Sequence, residues 1–219
     1  MRSFAIGDIH GCALTFKALV NDELQVLSGD TVYLLGDLVD RGPDTKSVID
    51  EIFSLRERGV EVHVLRGNHE EIMLKALDDE PAHKFWLQCG GKEVLDSFGV
   101  DDIEEIPEKY IQFIQQSILV LHHEPYYFVH AGFDFSLPNP LEGFEAMLWI
   151  RKMKVNREWL KDNLVVHGHT PEPFEDIQKQ RGPLINLDGG CVFKSRPDMG
   201  YLVALNLHSG EYHAVKNID

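Results

Sequence analysis

Five short segments combine glycine with Asp, Asn or His, and each follows an apolar run. They are Gly7-Asp8-Ile9-His10-Gly11, Gly36-Asp37-Leu38-Val39-Asp40-Arg41-Gly42, Gly67-Asn68-His69-Glu70, His130-Ala131-Gly132 and Gly168-His169-Thr170. Glycine lets the chain turn sharply and lets backbone approach a ligand closely. One such segment alone reads as an ordinary turn. Five in succession, each behind a strand-like run, point to one shared site. Asp8, His10, Asp37, Asn68, His130 and His169 supply three oxygen donors and three imidazoles. That mixture suits borderline and hard divalent ions such as Mn2+, Zn2+ or Fe2+. No cysteine joins the set, which argues against a thiolate zinc centre. Six side chains are too many for one open catalytic ion. They suffice for two ions roughly 3.5–4 Å apart that share one carboxylate. Two cations relieve the repulsion between a phosphate ester and an anionic nucleophile, and they lower the pKa of a bridging water. The expected chemistry is attack of the resulting hydroxide on phosphorus.

The elements that carry these residues follow from periodicity. Phe4 to Ile6 and Thr31 to Leu35 read as strands ending at Gly7-Asp8 and Gly36-Asp37. Between them a helical pattern places Leu14, Ala18 and Leu19 on one face. Pro43 opens a second helix with Val48, Ile49, Ile52 and Leu55 at helical spacing, and Gly59 ends it. The β-branched run Val60 to Leu65 leads into Gly67-Asn68-His69-Glu70, where another helix begins. Three strand–loop–helix units in a row imply layered α/β structure, with ligands beyond the carboxyl ends of the strands. Residues 81–117 read as helical with a break at Pro107. Ile118 to Leu121 and Tyr126 to Val129 read as strands around the turn His122-His123-Glu124-Pro125. Phe144 to Ile150 reads as a short helix and Leu164 to Val166 as a strand. The tail from Leu184 shows strand signals between glycine turns, which suggests a second sheet packed on the first.

Composition sets the outer limits. A chain of 219 residues, 43% hydrophobic, fits a single domain spanning residues 1–219 with a substantial core. No run reaches the roughly 18–20 apolar residues needed to span a bilayer. Met1 to Asp8 shows neither the long apolar core nor the cleavage site of a signal peptide, so a cytoplasmic location is expected. Cys12, Cys89 and Cys191 lack paired spacing and are read as reduced thiols. The formal net charge of -15 disfavours stable nucleic-acid binding, whereas bound cations can invert the potential inside a small site.

Taken together, the five segments resemble the signature of the phosphoprotein phosphatases within the calcineurin-like metallophosphoesterases. The form is most similar to the small bacterial and phage serine/threonine protein phosphatases. Leu148-Trp149-Ile150-Arg151 and Leu187-Asp188-Gly189-Gly190 fit the same pattern, and the resemblance covers residues 4–205. It implies a four-layer α/β/β/α sandwich with metals at the strand ends. It also implies that Asp8 and His10 hold one metal, that Asp37 bridges, and that Asn68, His130 and His169 hold the other. By the same resemblance His69 is the general acid, Asp40 orients it, and Arg41 and Arg151 grip the phosphate. The expected ions are two divalent metals, Mn2+ foremost, with Fe or Zn as the other candidates. The expected substrate is a phosphorylated protein or small phosphoester, acted on by a monomer with no membrane partner.

Several nearby residues read as supporting structure. His167 is expected beside the metals at a strand end. Arg66 is expected to pair with a carboxylate, and Glu70 to serve the helix start. His63, Phe85, Trp86, Phe98, Tyr127 and Phe128 are read as core, and His122 and His123 as surface. A nuclease of the same superfamily would carry Gly-His-x-His, but Pro171 stands where the second histidine belongs. Purple acid phosphatases place a Tyr ligand where this chain has Asp40. The chief alternative is a symmetrical dinucleoside tetraphosphatase. Those enzymes have Ala in place of Asp40 and Asp in place of Glu70, and their anhydride leaving group needs less acid assistance. A non-catalytic binding module would be expected to lack ligands, and none is missing here.

Overall fold

Side chains alternate across each strand, and this divides the apolar residues among three cores. The computed structural model describes residues 1–219. In β1 (Ser3–Ile6), Phe4 and Ile6 enter one core and Ala5 another. In β2 (Thr31–Leu34), Val32 and Leu34 part in the same way from Tyr33. β3 (Glu61–Val64) extends this parallel set. β8 (Tyr201–Asn206) lies antiparallel on the other side of β1, and β9 (Tyr212–Lys216) completes a hairpin with it. The first sheet therefore has the order β3-β2-β1-β8-β9. A second sheet holds β4 (Val120–His123), β5 (Tyr126–Val129), β6 (Leu164–His167) and β7 (Leu184–Asn186) in that order. Its last three strands are parallel.

Six helices cover the outer face of the first sheet. They are α1 (Ala13–Lys17), α2 (Thr45–Glu57), α3 (Asn68–Lys75), α4 (Glu80–Trp86), α5 (Lys92–Phe98) and α6 (Glu108–Gln115). Only α7 (Phe144–Trp149) and α8 (Arg157–Leu160) cover the second sheet, while α9 (Phe174–Ile177) sends Ile177 between the sheets. The order helices, sheet, sheet, helices is the four-layer sandwich expected from the sequence. No helix is long and apolar enough to cross a membrane.

Some expectations change in detail. The first helix buries Ala13, Phe16, Leu19 and Val20, while Leu14 is 56% exposed. The buried stripe keeps the 3.6-residue spacing but runs through Ala13 and Phe16, one position from the phase read on Leu14, before the helix widens into a π turn at Ala18–Glu23. Pro43 precedes the second helix rather than opening it: Asp44 caps the helix by accepting from the Ser47 N–H at 2.9 Å. The 81–117 stretch splits into three helices, with breaks at Gly90 and Gly99, where φ is +116° and +68°. His122 and His123 are exposed as expected, but they end β4, leaving the turn to Glu124-Pro125.

Candidate dinuclear metal site

The parallel strands of both sheets deliver their C-terminal ends to one rim. Asp8 follows β1, Asp37 follows β2, Asn68 follows β3, His130 follows β5 and His169 follows β6. Five of the seven non-glycine residues with positive φ stand here: His10, Asp37, Asp40, Arg41 and His169. Left-handed backbone is costly for such residues, and its concentration marks a site whose geometry overrides local preference. Two glycines are needed because carboxylates press on them. A Cβ at Gly67 would strike the Asp37 carboxylate, and one at Gly168 would strike that of Asp8.

Hydrogen bonds at the far side of each ring fix which nitrogen faces the centre. His10 Nδ1 donates to the Val39 carbonyl at 2.9 Å, and His130 Nδ1 donates to the Leu35 carbonyl at 2.9 Å. Both Nε2 atoms therefore present lone pairs. That of His130 meets Asn68 Oδ1 at 3.0 Å and Asp37 Oδ1 at 3.4 Å. That of His10 lies 3.5 Å from Asp37 Oδ2 and accepts from Arg41 Nη1 at 2.9 Å. His169 Nδ1 is 3.2 Å from His130 Nε2, and its own Nε2 is buried with no partner. Acceptor atoms facing one another in a buried space are costly, a cation between them would satisfy them, and backbone-oriented imidazoles are the usual support for one. Ligand atoms of His10, Asp37 and His69 lie within 4.8 Å of one another, and so do those of Asp37, His130 and His169. Asp37 is common to both trios, as a bridging carboxylate would be. Asp8 falls outside both; its carboxylate accepts from the His169 N–H at 3.2 and 3.1 Å.

The electrostatics agree with a place for cations. Burial, Asp188 and Asp37 push Asp8 well above the carboxylate range. Burial and Asp37 bring Glu70 to about 7, and burial, with Asp37 contributing, brings Asp188 to about 7. Burial drives His10 and His169 down to about 3 and lowers His130, keeping these rings neutral. Burial would raise Asp37 too, but His130, His69 and His10 outweigh it and hold Asp37 below its ordinary value. Four carboxylates are thus buried together, and divalent ions would offset the charge that burial disfavours. The donor set fits the pair of metals inferred from the sequence.

Beside the donors lies a second, hydrogen-bonded unit. His69 Nδ1 donates to Asp40 Oδ2 at 2.7 Å, and Trp86 Nε1 donates to Asp40 Oδ1 at 2.8 Å. All three side chains are buried. Burial opposes protonation of His69, but Asp37 and Asp40 raise its pKa above the ordinary value. Glu70 fastens the loops together. Its two oxygens accept from the N–H groups of Asp37 and Gly67 at 2.8 and 2.7 Å, and from those of Leu38 and Val39 at 2.7 and 3.3 Å.

The centre opens into a cavity of about 620 Å³ with Arg41 and Arg151 on its wall. Asp8, His10, Asp37, Asn68, His69 and His169 line it as well, while Asp40 and His130 are buried behind His69 and Asn68, to which they bond. Three further residues belong there. Asp188 lines the cavity and sits in Leu187-Asp188-Gly189, the same grammar of strand, Asp and glycine that marked Asp8 and Asp37. Trp86, read as core, is the partner of Asp40, and no local pattern could have shown that. Phe85, also read as core, is 53% exposed at the cavity wall, because α4 turns only Trp86 inward. His167 bonds the Gly168 carbonyl at 3.1 Å and touches no donor, and Arg66 pairs with Glu71 at 3.3 Å. His63 stacks on Tyr33 with ring centroids 5.1 Å apart.

Comparison with known proteins agrees with this geometry. The bis(5'-nucleosyl)-tetraphosphatase PrpE [asymmetrical] of Anoxybacillus flavithermus is 30% identical, over 86% of this chain and 85% of its own. A solved structure described as a putative diadenosine tetraphosphatase superposes with a TM-score of 0.67 at 21% identity, covering 98% of this chain and 92% of that one. A protein serine/threonine phosphatase from Saccharomyces cerevisiae gives a TM-score of 0.68 at 16% identity, covering 100% and 81%. Residues 1–203 match the calcineurin-like phosphoesterases. With that match, the converging lone pairs around Asp37 have their explanation, and the chain belongs to the calcineurin-like phosphoesterase family, hydrolases that work with two divalent metals.

Proposed function

We propose that this protein removes phosphate from phosphoserine and phosphothreonine side chains, with phosphotyrosine and small phosphoesters as further substrates. The observation that carries this reading is the buried Asp40–His69 pair tied down by Trp86. A serine or threonine alkoxide is a poor leaving group and needs a proton as it departs. With Nδ1 held by Asp40, His69 can carry a proton on Nε2 for the ester oxygen. Arg41 and Arg151 match the remaining phosphate oxygens with planar donor forks. Two divalent ions held by Asp8, His10, Asp37, Asn68, His130 and His169 would supply Lewis acidity toward phosphate and acidify water. The reading includes Mn2+ as the working ion, a monomeric enzyme and a cytoplasmic location.

A second reading is hydrolysis of dinucleoside polyphosphates. The name of the Anoxybacillus flavithermus relative favours it. So do Phe85 and Trp149, which are 53% and 45% exposed on the cavity wall and offer faces for nucleobases. The test is kcat/KM of the Mn2+-restored protein on a phosphothreonine peptide and on diadenosine tetraphosphate. A higher value for the peptide supports the first reading, and a higher value for the dinucleotide replaces it with the second.

A further inference from the structure

The chain carries 36 acidic and 21 basic side chains, yet Arg151-Lys152-Met153-Lys154-Val155-Asn156-Arg157 holds four cations and no acid. None of the four cations pairs with a carboxylate. The segment links α7 to α8, and its backbone is extended at both ends, Ile150 and Asn156. Between them burial alternates. Met153 and Val155 pack on the outer core of the second sheet, while Lys152 and Lys154 are exposed. Such alternation places the two lysines on a common outer face.

The strap is anchored rather than loose. Met153 Sδ accepts from the Phe133 N–H at 3.4 Å, and Asn156 Oδ1 accepts from the Glu158 and Trp159 N–H groups at 3.0 and 3.2 Å. Arg151 lines the metal cavity, and Lys152, Lys154 and Arg157 line a neighbouring groove of about 540 Å³. Two acids also line that groove, Asp134 and Glu158. Asp134 is already engaged by Ser136, whose N–H and hydroxyl reach it at 2.9 and 2.6 Å. The strap is thus a fixed row of unpaired cations running away from the catalytic centre.

Resting on the phosphomonoesterase reading above, we propose that this strap docks acidic residues flanking the phosphorylated side chain of a peptide substrate. Seven residues reach at most about 20 Å, the span of several residues of an extended peptide. Screening limits the lysines to groups within about 8 Å at physiological ionic strength. The net charge of -15 leaves an acidic surface around the strap, which repels a polyanion long enough to overrun it. A short acidic stretch beside the phosphate meets the strap without meeting that field.

The test uses the full Mn2+-loaded chain and three phosphothreonine peptides, flanked on both sides by Glu, Ala or Lys, with p-nitrophenyl phosphate as reference. The wild type is expected to favour the Glu-flanked over the Ala-flanked peptide about tenfold in kcat/KM, through a few exposed ion pairs. That preference should shrink with added salt. The double substitution Lys152→Glu, Lys154→Glu should shift preference to the Lys-flanked peptide and leave p-nitrophenyl phosphate turnover unchanged. Equal rates on all three peptides would overturn the docking track and leave the phosphatase reading standing. So would an equal loss on p-nitrophenyl phosphate in the double variant. If no peptide were cleaved while diadenosine tetraphosphate was, both readings would fall together.

Discussion

Both sheets deliver donors to the metal site, but they stand on unequal amounts of protein. The first sheet supplies Asp8, His10, Asp37 and Asn68 over a core of 35 buried residues and six helices. The second supplies His130 and His169, and its outer face rests on six buried residues and two short helices. The loops of the first half also bind one another, through Glu70 and through the Asp40–His69 pair. The donors of the second half are aimed by contacts reaching back to the first: His130 bonds the Leu35 carbonyl, and the His169 N–H bonds Asp8. At the rim rigidity therefore originates on one side, and metal ions would add a bond between the two halves beside the ten-residue core that the sheets share.

The largest expected effect separates chemistry from metal binding within the first half. His69→Asn should lower turnover by about 10²–10⁴-fold, the range for loss of a general acid. Metal content, read by elemental analysis, should hold. Because His69 also falls within ligand distance of His10 and Asp37, a matching loss of metal would reassign it as a ligand. Metal removal comes next. At metal concentrations 1,000-fold above Kd, chelation should cost about 4 kcal/mol of stability. Hydrogen exchange should then rise more at residues 130–132 and 168–170 than at 37–41. Equal deprotection of the two would contradict the asymmetry.

Glu70→Gln tests the fastening inside the stronger half. An amide group would face backbone N–H donors that now meet a carboxylate oxygen. We expect a loss of about 1–3 kcal/mol in urea unfolding, together with weaker metal binding. The smallest effect is at Asp30, under the first sheet and far from the metals. Burial alone would raise its pKa, but hydrogen bonds from the Arg2 side chain and backbone, and from Leu27, hold it below the ordinary value. A lowered folded pKa gives stability that is present above the unfolded value near 4 and lost as pH falls through the folded value. Asp30→Asn should therefore cost under about 1 kcal/mol at pH 7, and the gap from wild type should close below about pH 4.

Much of this site could be read in one dimension because its grammar is local. An apolar run, a glycine and a polar donor lie within a few residues of each other, and each such unit makes its own strand end and turn. Asp8, His10, Asp37, Asn68, His130 and His169 were found that way, as were the strands that carry them. Asp188 has the same grammar and was legible, though its role was not. The first helix is apolar at Ala13, Leu14, Phe16, Ala18, Leu19 and Val20, so its sequence admits two neighbouring phases, and packing against the sheet selects the one that buries Ala13 and Phe16. Phe85 and Trp86 differ by one position, and no periodicity tells which of them faces a carboxylate.

Local sequence chemistry was enough for the converging Asp, Asn and His residues, the element types and the layered α/β class, because turns, periodicity and side-chain identity act over a few residues. Only the packing of two sheets decided that Trp86 meets Asp40 across 46 residues, that the His169 backbone meets Asp8 across 161, and that a basic strap runs out from the metal cavity. Such adjacency follows from burying both faces of each sheet at once, a condition on the whole chain that no short window contains.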